Sequence, residues 1–224
     1  MERARAIRAV AIDGPAGAGK STVARGVAEA LGFLYIDSGA MYRAVTLAAM
    51  RAGANLHDPE ALGAVARSCR LDFDESGTRI LLDGEDVSTA IRTPEITAQV
   101  RFAASAPPVR AELVGRQRAL ARARPVVMEG RDITTVVLPE AQWKFYLDAA
   151  PECRARRRLK DLDAAGHPTR LEALLGEIAS RDRSDLERAV GPLKRTGDQV
   201  YLDTTDLSVA EAVQQIVRRA QDGR

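Results

Sequence analysis

The chain has 224 residues, 46% hydrophobic and 29% charged, with a net charge of +2; that is one globular unit with an ordinary composition and room for a real core. The small net charge decides nothing about a nucleic-acid partner, so the placement of individual arginines carries more weight. No run reaches membrane-spanning length and no signal core follows Met1-Glu2-Arg3-Ala4-Arg5, so a cytoplasmic protein without a membrane partner is expected.

In chain order, Ala9-Val10-Ala11-Ile12 reads as a buried strand. Gly14-Pro15-Ala16-Gly17-Ala18-Gly19-Lys20-Ser21-Thr22 follows and fits G-x-x-x-x-G-K-[ST], the phosphate-binding loop. Glycines let such a loop turn tightly and aim its N–H groups inward, and the next helix adds its positive end. Lys20 can reach the β- and γ-phosphates of ATP, and the Ser21 hydroxyl can ligate Mg²⁺. Val23, Val27, Ala30 and Leu31 share a helix face that Gly32 terminates. A second strand, Phe33-Leu34-Tyr35-Ile36, leads through Asp37-Ser38-Gly39 to a helix over about residues 40–51. Two strand–helix units in succession predict a parallel α/β sheet, with ligands at the C-terminal strand ends beside Asp13, Asp37 and Ser38.

The pattern then changes. After a helix near residues 59–68, short alternating runs separated by Gly77 and Asp83-Gly84 predict a small antiparallel meander, an acceptor-binding insert over residues 62–105. Thr93-Pro94 opens a helix that Pro107-Pro108 breaks, and helix resumes over 109–122. The core (residues 1–61 and 106–224) returns with Pro125-Val126-Val127-Met128-Glu129-Gly130, ending in Gly130-Arg131-Asp132, and with strands over 143–148 and 199–203. A basic helix over about 152–162, broken at Gly166-His167-Pro168, and the polar helix after it give a candidate helical lid within residues 154–180. Ser208-Val209-Ala210-Glu211 is a capping box for the last helix. Cys69 and Cys153 lie far apart without metal-type spacing and read as reduced thiols.

The loop fixes nucleotide binding but not its use. An Asp-x-x-Gly switch and an Asn-Lys-x-Asp guanine reader are not found where a regulatory GTPase would carry them. The core strands end in Asp37-Ser38-Gly39 and Gly130-Arg131-Asp132 rather than in the acidic end of a motor, which favours a small kinase. A phosphate acceptor is already an anion and needs no strong base; it needs cations between two repelling phosphates. Arginine suits this task through its planar fork. The candidates are Arg43, Arg110, Arg131, Arg154, Arg157, Arg158, Arg181 and Arg188; Arg156 and Arg183 read as solvated. The basic helix is poor in aromatics, against a base-stacking surface. Taken alone, Asp132 reads equally as a helix cap, Ser38 as a cap, Asp185 as an ion-pair partner of Arg181, and Arg110 as an exposed charge.

From about Ile7 to Ala220 the sequence resembles the bacterial cytidylate kinases. The stretches carrying the resemblance are residues 12–22, Asp37-Ser38-Gly39-Ala40-Met41-Tyr42-Arg43, Gly130-Arg131-Asp132-Ile133 and Arg181-Asp182-Arg183-Ser184-Asp185. The resemblance implies an ATP- and Mg²⁺-dependent kinase of CMP and dCMP. It places Asp132 and Arg110 on the cytosine, whose N4 amino group donates while N3 and O2 accept. It also puts Arg43, Arg131 and Arg188 around the acceptor phosphate, Arg181 and Asp185 at the ribose, Ser38 beside the acceptor, and Arg157 and Arg158 over the transferring phosphate. Asp13 is a candidate to orient a metal-bound water. Two positions depart from the family pattern: Arg101 stands where a serine is usual, and Thr134 where a glycine is. The expected state is a monomer with no nucleic-acid partner. The competing readings are a kinase of another acceptor, such as UMP or shikimate with Asp37 as base, and a nucleotide-dependent RNA-binding or switch protein.

Overall fold

A computed structural model describes residues 8–164, 166 and 169–222; His167 and Pro168 of the expected break lie outside the described residues. Strand β1 (Ala9–Asp13) is buried throughout and runs into the glycine loop and helix α1 (Lys20–Leu31), which ends on Gly32 at φ 67°. The second unit is β2 (Leu34–Asp37) and α2 (Ser38–Arg51), with the Asp37 side chain accepting the Ala40 N–H as the helix cap. Helix α3 (Pro59–Ser68) starts on a proline behind the Asp58 cap.

The insert's meander is β3 (Leu71–Phe73), β4 (Ile80–Leu82) and β5 (Glu85–Asp86), antiparallel in that order. Leu82 pairs with Glu85 across a turn of only two residues. Asp83 and Gly84 take φ 52° and 90° there, the left-handed pair that such a hairpin requires. Thr93 caps α4 (Pro94–Ser105), as the sequence predicts. Pro107-Pro108 corrects the expected gap: α5 (Pro107–Ala123) begins on the first proline, because the first helical turn has no N–H partner to lose.

The core resumes with β6 (Val126–Gly130), a π-helical turn at 133–137, β7 (Trp143–Asp148), α6 (Pro151–Ala164), α7 (Leu171–Glu187), β8 (Val200–Asp203) and α8 (Val209–Asp222). The capping box forms: Ser208 N–H donates to Glu211 at 2.8 Å and Glu211 N–H to Ser208 at 3.3 Å.

Five parallel strands lie in the order β2-β6-β1-β7-β8. One apolar cluster packs α1 and α8 on one face, another packs Leu34, Met128 and Ile133 on the other face, and a third joins α2 to the insert. Helices α6 and α7 share a small cluster of Ala155, Leu174 and Ile178. The chain leaves β1 for β2 with β6 between them, so a crevice opens at their C-terminal ends. Register brings Asp13 beside Gly130 and Asp37 beside Glu129 at that edge.

Candidate active site

The phosphate loop bridges β1 and α1 through backbone that needs glycine. Gly14 lies at φ 150°, and a Cβ there would meet the Leu147 carbonyl of β7 at 1.9 Å. Lys20 is buried, and its ammonium donates to Pro15 O at 2.7 Å, curling back over the loop. Burial, with Arg131 and Arg181 nearby, pushes that ammonium down to about 7, against the pull of Glu129. The Ser21 hydroxyl donates to Glu129, and the Tyr35 hydroxyl donates to the same carboxylate oxygen at 3.0 Å. Burial and then Asp37 push the Glu129 carboxyl up.

Helix α6 is tied to the loop by two arginines. Arg154 is buried, donates to Ala149 O at 3.0 Å and Ala16 O at 3.1 Å, and pairs with Asp182 of α7 at 2.7 Å. Arg157 donates twice to Thr204, whose hydroxyl donates to Ala18 O at 3.0 Å. Arg158 is exposed on the same helix, near enough to Arg181 to depress its pKa. Arg156 and Arg183 are exposed, as expected.

Across the crevice, Arg131 Nε donates to Asp185 at 2.6 Å, and Arg188 stands 3.9 Å from the same carboxylate. Asp185 is thus held by Arg131 and flanked by Arg188, rather than simply paired with Arg181. Burial first, and then Arg131 and Arg43, push Arg181 down to about 10. Among the described residues, Arg43 Nε and both Nε and Nη2 of Arg188 are buried without a hydrogen-bond partner. Guanidinium donors left this way carry a desolvation cost that an anion would remove.

Arg110 and Asp132 form a buried ion pair, 3% and 5% exposed, and Arg110 also donates to the Tyr42 hydroxyl at 3.3 Å. Arg110 is therefore not an exposed charge. Asp132 makes no side-chain cap bond. Ser38 is not the cap either: its hydroxyl donates to Glu129 O at 2.7 Å, while Asp37 caps α2 and accepts from Arg92 at 3.3 Å. Asp13 lies under the crevice, where its Oδ1 accepts the Ile133 N–H and its Oδ2 accepts the Thr134 N–H and hydroxyl. Arg101 is exposed and stacks on Phe102, 4.8 Å from the ring centroid. Thr134 needs no left-handed backbone, so a glycine is not required there.

Sequence reasoning missed Arg92 and Glu129, and Glu129 corrects the expectation that no core strand carries an acidic end: from β6 it accepts the Ser21 hydroxyl of the phosphate loop. Glu129 follows the apolar run Val126-Val127-Met128 on the strand next to β1. An acidic residue ending such a strand was the available signal.

The family model "Cytidylate kinase" matches residues 10–222. A cytidylate kinase of Pelotomaculum thermopropionicum is 50% identical over 218 residues, 96% of each chain. Another, of Geobacillus kaustophilus, is 50% identical over 210 residues, 93% of this chain and 94% of that one. Among the described residues no helix is long and apolar enough to cross a membrane.

Proposed function

The chain belongs to the cytidylate kinase family, and from that premise we propose that the crevice holds the ATP phosphates on the loop side and CMP on the arginine side. The reaction moves the γ-phosphate of ATP to CMP or dCMP. The observation that carries the site assignment is the group of buried guanidinium donors without hydrogen-bond partners, on Arg43 and Arg188, both close to Arg131, which in turn lies near Lys20 of the phosphate loop.

On the donor side, residues Gly14, Pro15, Ala16, Gly17, Ala18, Gly19, Lys20, Ser21 and Thr22 wrap the polyphosphate with backbone N–H groups and the α1 N-terminus. Lys20 faces the charge that grows on the transferring group. Arg158, exposed on α6, is the arginine free to close on it; Arg157 would join it by exchanging its Thr204 bonds for the phosphate as the candidate lid, within residues 154–180, closes. Excluding water there strengthens every ionic contact and prevents hydrolysis.

The donor set fits Mg²⁺. A neutral hydroxyl, Ser21, sits against a buried carboxylate, Glu129, both hard oxygen donors, and among the described residues no cluster of three or more His, Cys, Asp or Glu forms a full protein cage. Mg²⁺ keeps most of its waters and takes one or two protein oxygens. Ser21 would ligate it and Glu129 would orient its water; bound there, it supplies charge neutralisation to the phosphates. Glu129→Gln is expected to raise the Mg²⁺ concentration for half-maximal turnover by about tenfold or more, as loss of an outer-shell partner does. An unmoved Mg²⁺ requirement in this variant contradicts the assignment.

On the acceptor side, Arg43, Arg131 and Arg188 hold the CMP phosphate, Arg181 and Asp185 the ribose, and Asp132 with Arg110 the cytosine; Ser38 lies beside the acceptor. The acceptor oxygen is ionised, so the arginines' task is to bring two anions together. An alcohol acceptor would need a free carboxylate base, and Asp37 is instead committed to capping α2 and to Arg92. The insert at 62–105 covers the acceptor side of a core of 1–61 and 106–224, reaching it through Arg92 on Asp37, while the assigned CMP contacts come from the core. We assign a cytoplasmic monomer with no nucleic-acid partner.

A further inference from the structure

Asp13 ends β1, one residue before the phosphate loop, and is wholly buried. Its Oδ1 accepts the Ile133 N–H at 2.8 Å, and its Oδ2 accepts the Thr134 N–H at 2.8 Å and the Thr134 hydroxyl. That hydroxyl in turn accepts from the Gln199 side-chain amide. The Gln199 Oε1 accepts the Thr196 N–H at 2.8 Å, which ties in the connection between α7 and β8. One carboxylate therefore pins three separate pieces of chain: the start of the phosphate loop, the turn after β6, and the segment leading into β8.

The pinned turn is the one that carries Arg131 and Asp132. Arg131 reaches Asp185 from it, and Asp132 reaches Arg110. Within the turn, Val136 and Val137 N–H both donate to Asp132 O, at 2.9 and 3.1 Å, and its far end is held from α5 by Arg118, which donates to Val136 O at 2.7 Å and Val137 O at 2.9 Å. Asp13 thus anchors the near end of the turn, at Ile133 and Thr134 beside Arg131 and Asp132, and sets that end relative to the loop holding the donor phosphates. Buried groups with all donors met are costly to rearrange, so the anchor transmits any shift to both acceptor residues.

We infer that Asp13, acting through the turn at Ile133 and Thr134, is a positioning residue of the acceptor site and not a member of the metal site. The inference rests on the assignment of Arg131 and Asp132 to CMP. Its test compares Asp13→Asn, Thr134→Val and Thr134→Ser in three readouts: CMP binding by calorimetry, the CMP-to-UMP ratio of kcat/KM, and the Mg²⁺ requirement. An amide can accept through one oxygen only, so Asp13→Asn is expected to weaken CMP binding by about tenfold, the cost of a buried unmet donor. The base preference should narrow with it, while the Mg²⁺ requirement stays at the wild-type value. Thr134→Val should move the same way by about threefold, through loss of one neutral hydrogen bond, and Thr134→Ser should behave as wild type.

A raised Mg²⁺ requirement with intact CMP binding overturns the inference and returns Asp13 to the metal. Unchanged CMP binding in Asp13→Asn overturns it too. Should that variant fail to fold, Thr134→Val decides: it must weaken CMP binding relative to Thr134→Ser, and equal binding by the two overturns the inference. Asp132→Asn keeps the two readings apart. If it retains the wild-type base preference, the acceptor assignment has failed. If it loses that preference while Asp13→Asn matches wild type throughout, only the present inference has.

Discussion

Lys20→Ala is expected to cut turnover by about a thousandfold or more while leaving CMP binding close to wild type. Removal of one preorganised donor from a developing oxyanion costs roughly two to three orders of magnitude in other enzymes, and here the lost donor also carries the loop's charge. Its ammonium is buried and fixed on Pro15 O at 2.7 Å, so it costs little to reorganise when charge develops. The same group predicts a proton signal. Free Lys20 titrates at about 7 instead of 10.5, and a bound polyphosphate restores its proton. Above that pH, ATP binding therefore takes up a proton and weakens as pH rises. Calorimetry in buffers of different ionisation enthalpy reads the uptake, which Lys20→Ala should abolish. The sign for stability follows from the same shift: between about 7 and 10.5 the unfolded chain holds more protons at this lysine, so its contribution to stability rises with pH across that window. Near wild-type turnover in Lys20→Ala would remove the donor site altogether.

Asp132→Asn is expected to lower the CMP-to-UMP ratio of kcat/KM by about a hundredfold, the scale on which buried hydrogen-bonding groups reject a mismatched partner. Cytosine presents a donor at N4 and acceptors at N3 and O2, so a carboxylate and a guanidinium match it. Uracil reverses the pattern at N3 and C4, and the same two groups would face it wrongly. The variant should also lose about 3 kcal/mol of stability by denaturant titration, because Arg110 would be left buried and uncompensated. In the protein the pair is 3% and 5% exposed. An unchanged ratio in well-folded variant protein contradicts the role of Asp132 as base reader, whatever happens to stability.

The parts of this molecule that were legible in the sequence are those set by near neighbours in the chain. The loop motif, the Gly32 stop, the Asp83-Gly84 hairpin and the Ser208–Glu211 box each depend on a few consecutive residues. Helix starts after proline were harder: Pro107-Pro108 reads as a break when it is also a first turn. Glu129 was hidden for a different reason. Its contact with Ser21 spans 108 positions and exists only because β6 lies between β2 and β1, an order that periodicity does not encode. The same holds for Asp13, whose acceptors' partners are 120 and 121 positions away. A carboxylate beside a phosphate loop suggested the metal, whereas the fold spends both oxygens on a turn. Arg110 looked exposed because it follows two prolines, but tertiary packing against Tyr42 and Asp132 buries it.

The most direct measurement is ADP release from Mg·ATP with CMP, dCMP, UMP, AMP, GMP and shikimate supplied as separate acceptors. Fast turnover confined to CMP and dCMP is the predicted result, and it would support Asp132 with Arg110 as readers of cytosine. Comparable turnover with UMP would contradict that pairing, leaving the phosphate loop in place and pointing to Arg101 and Thr134 as the positions that altered specificity.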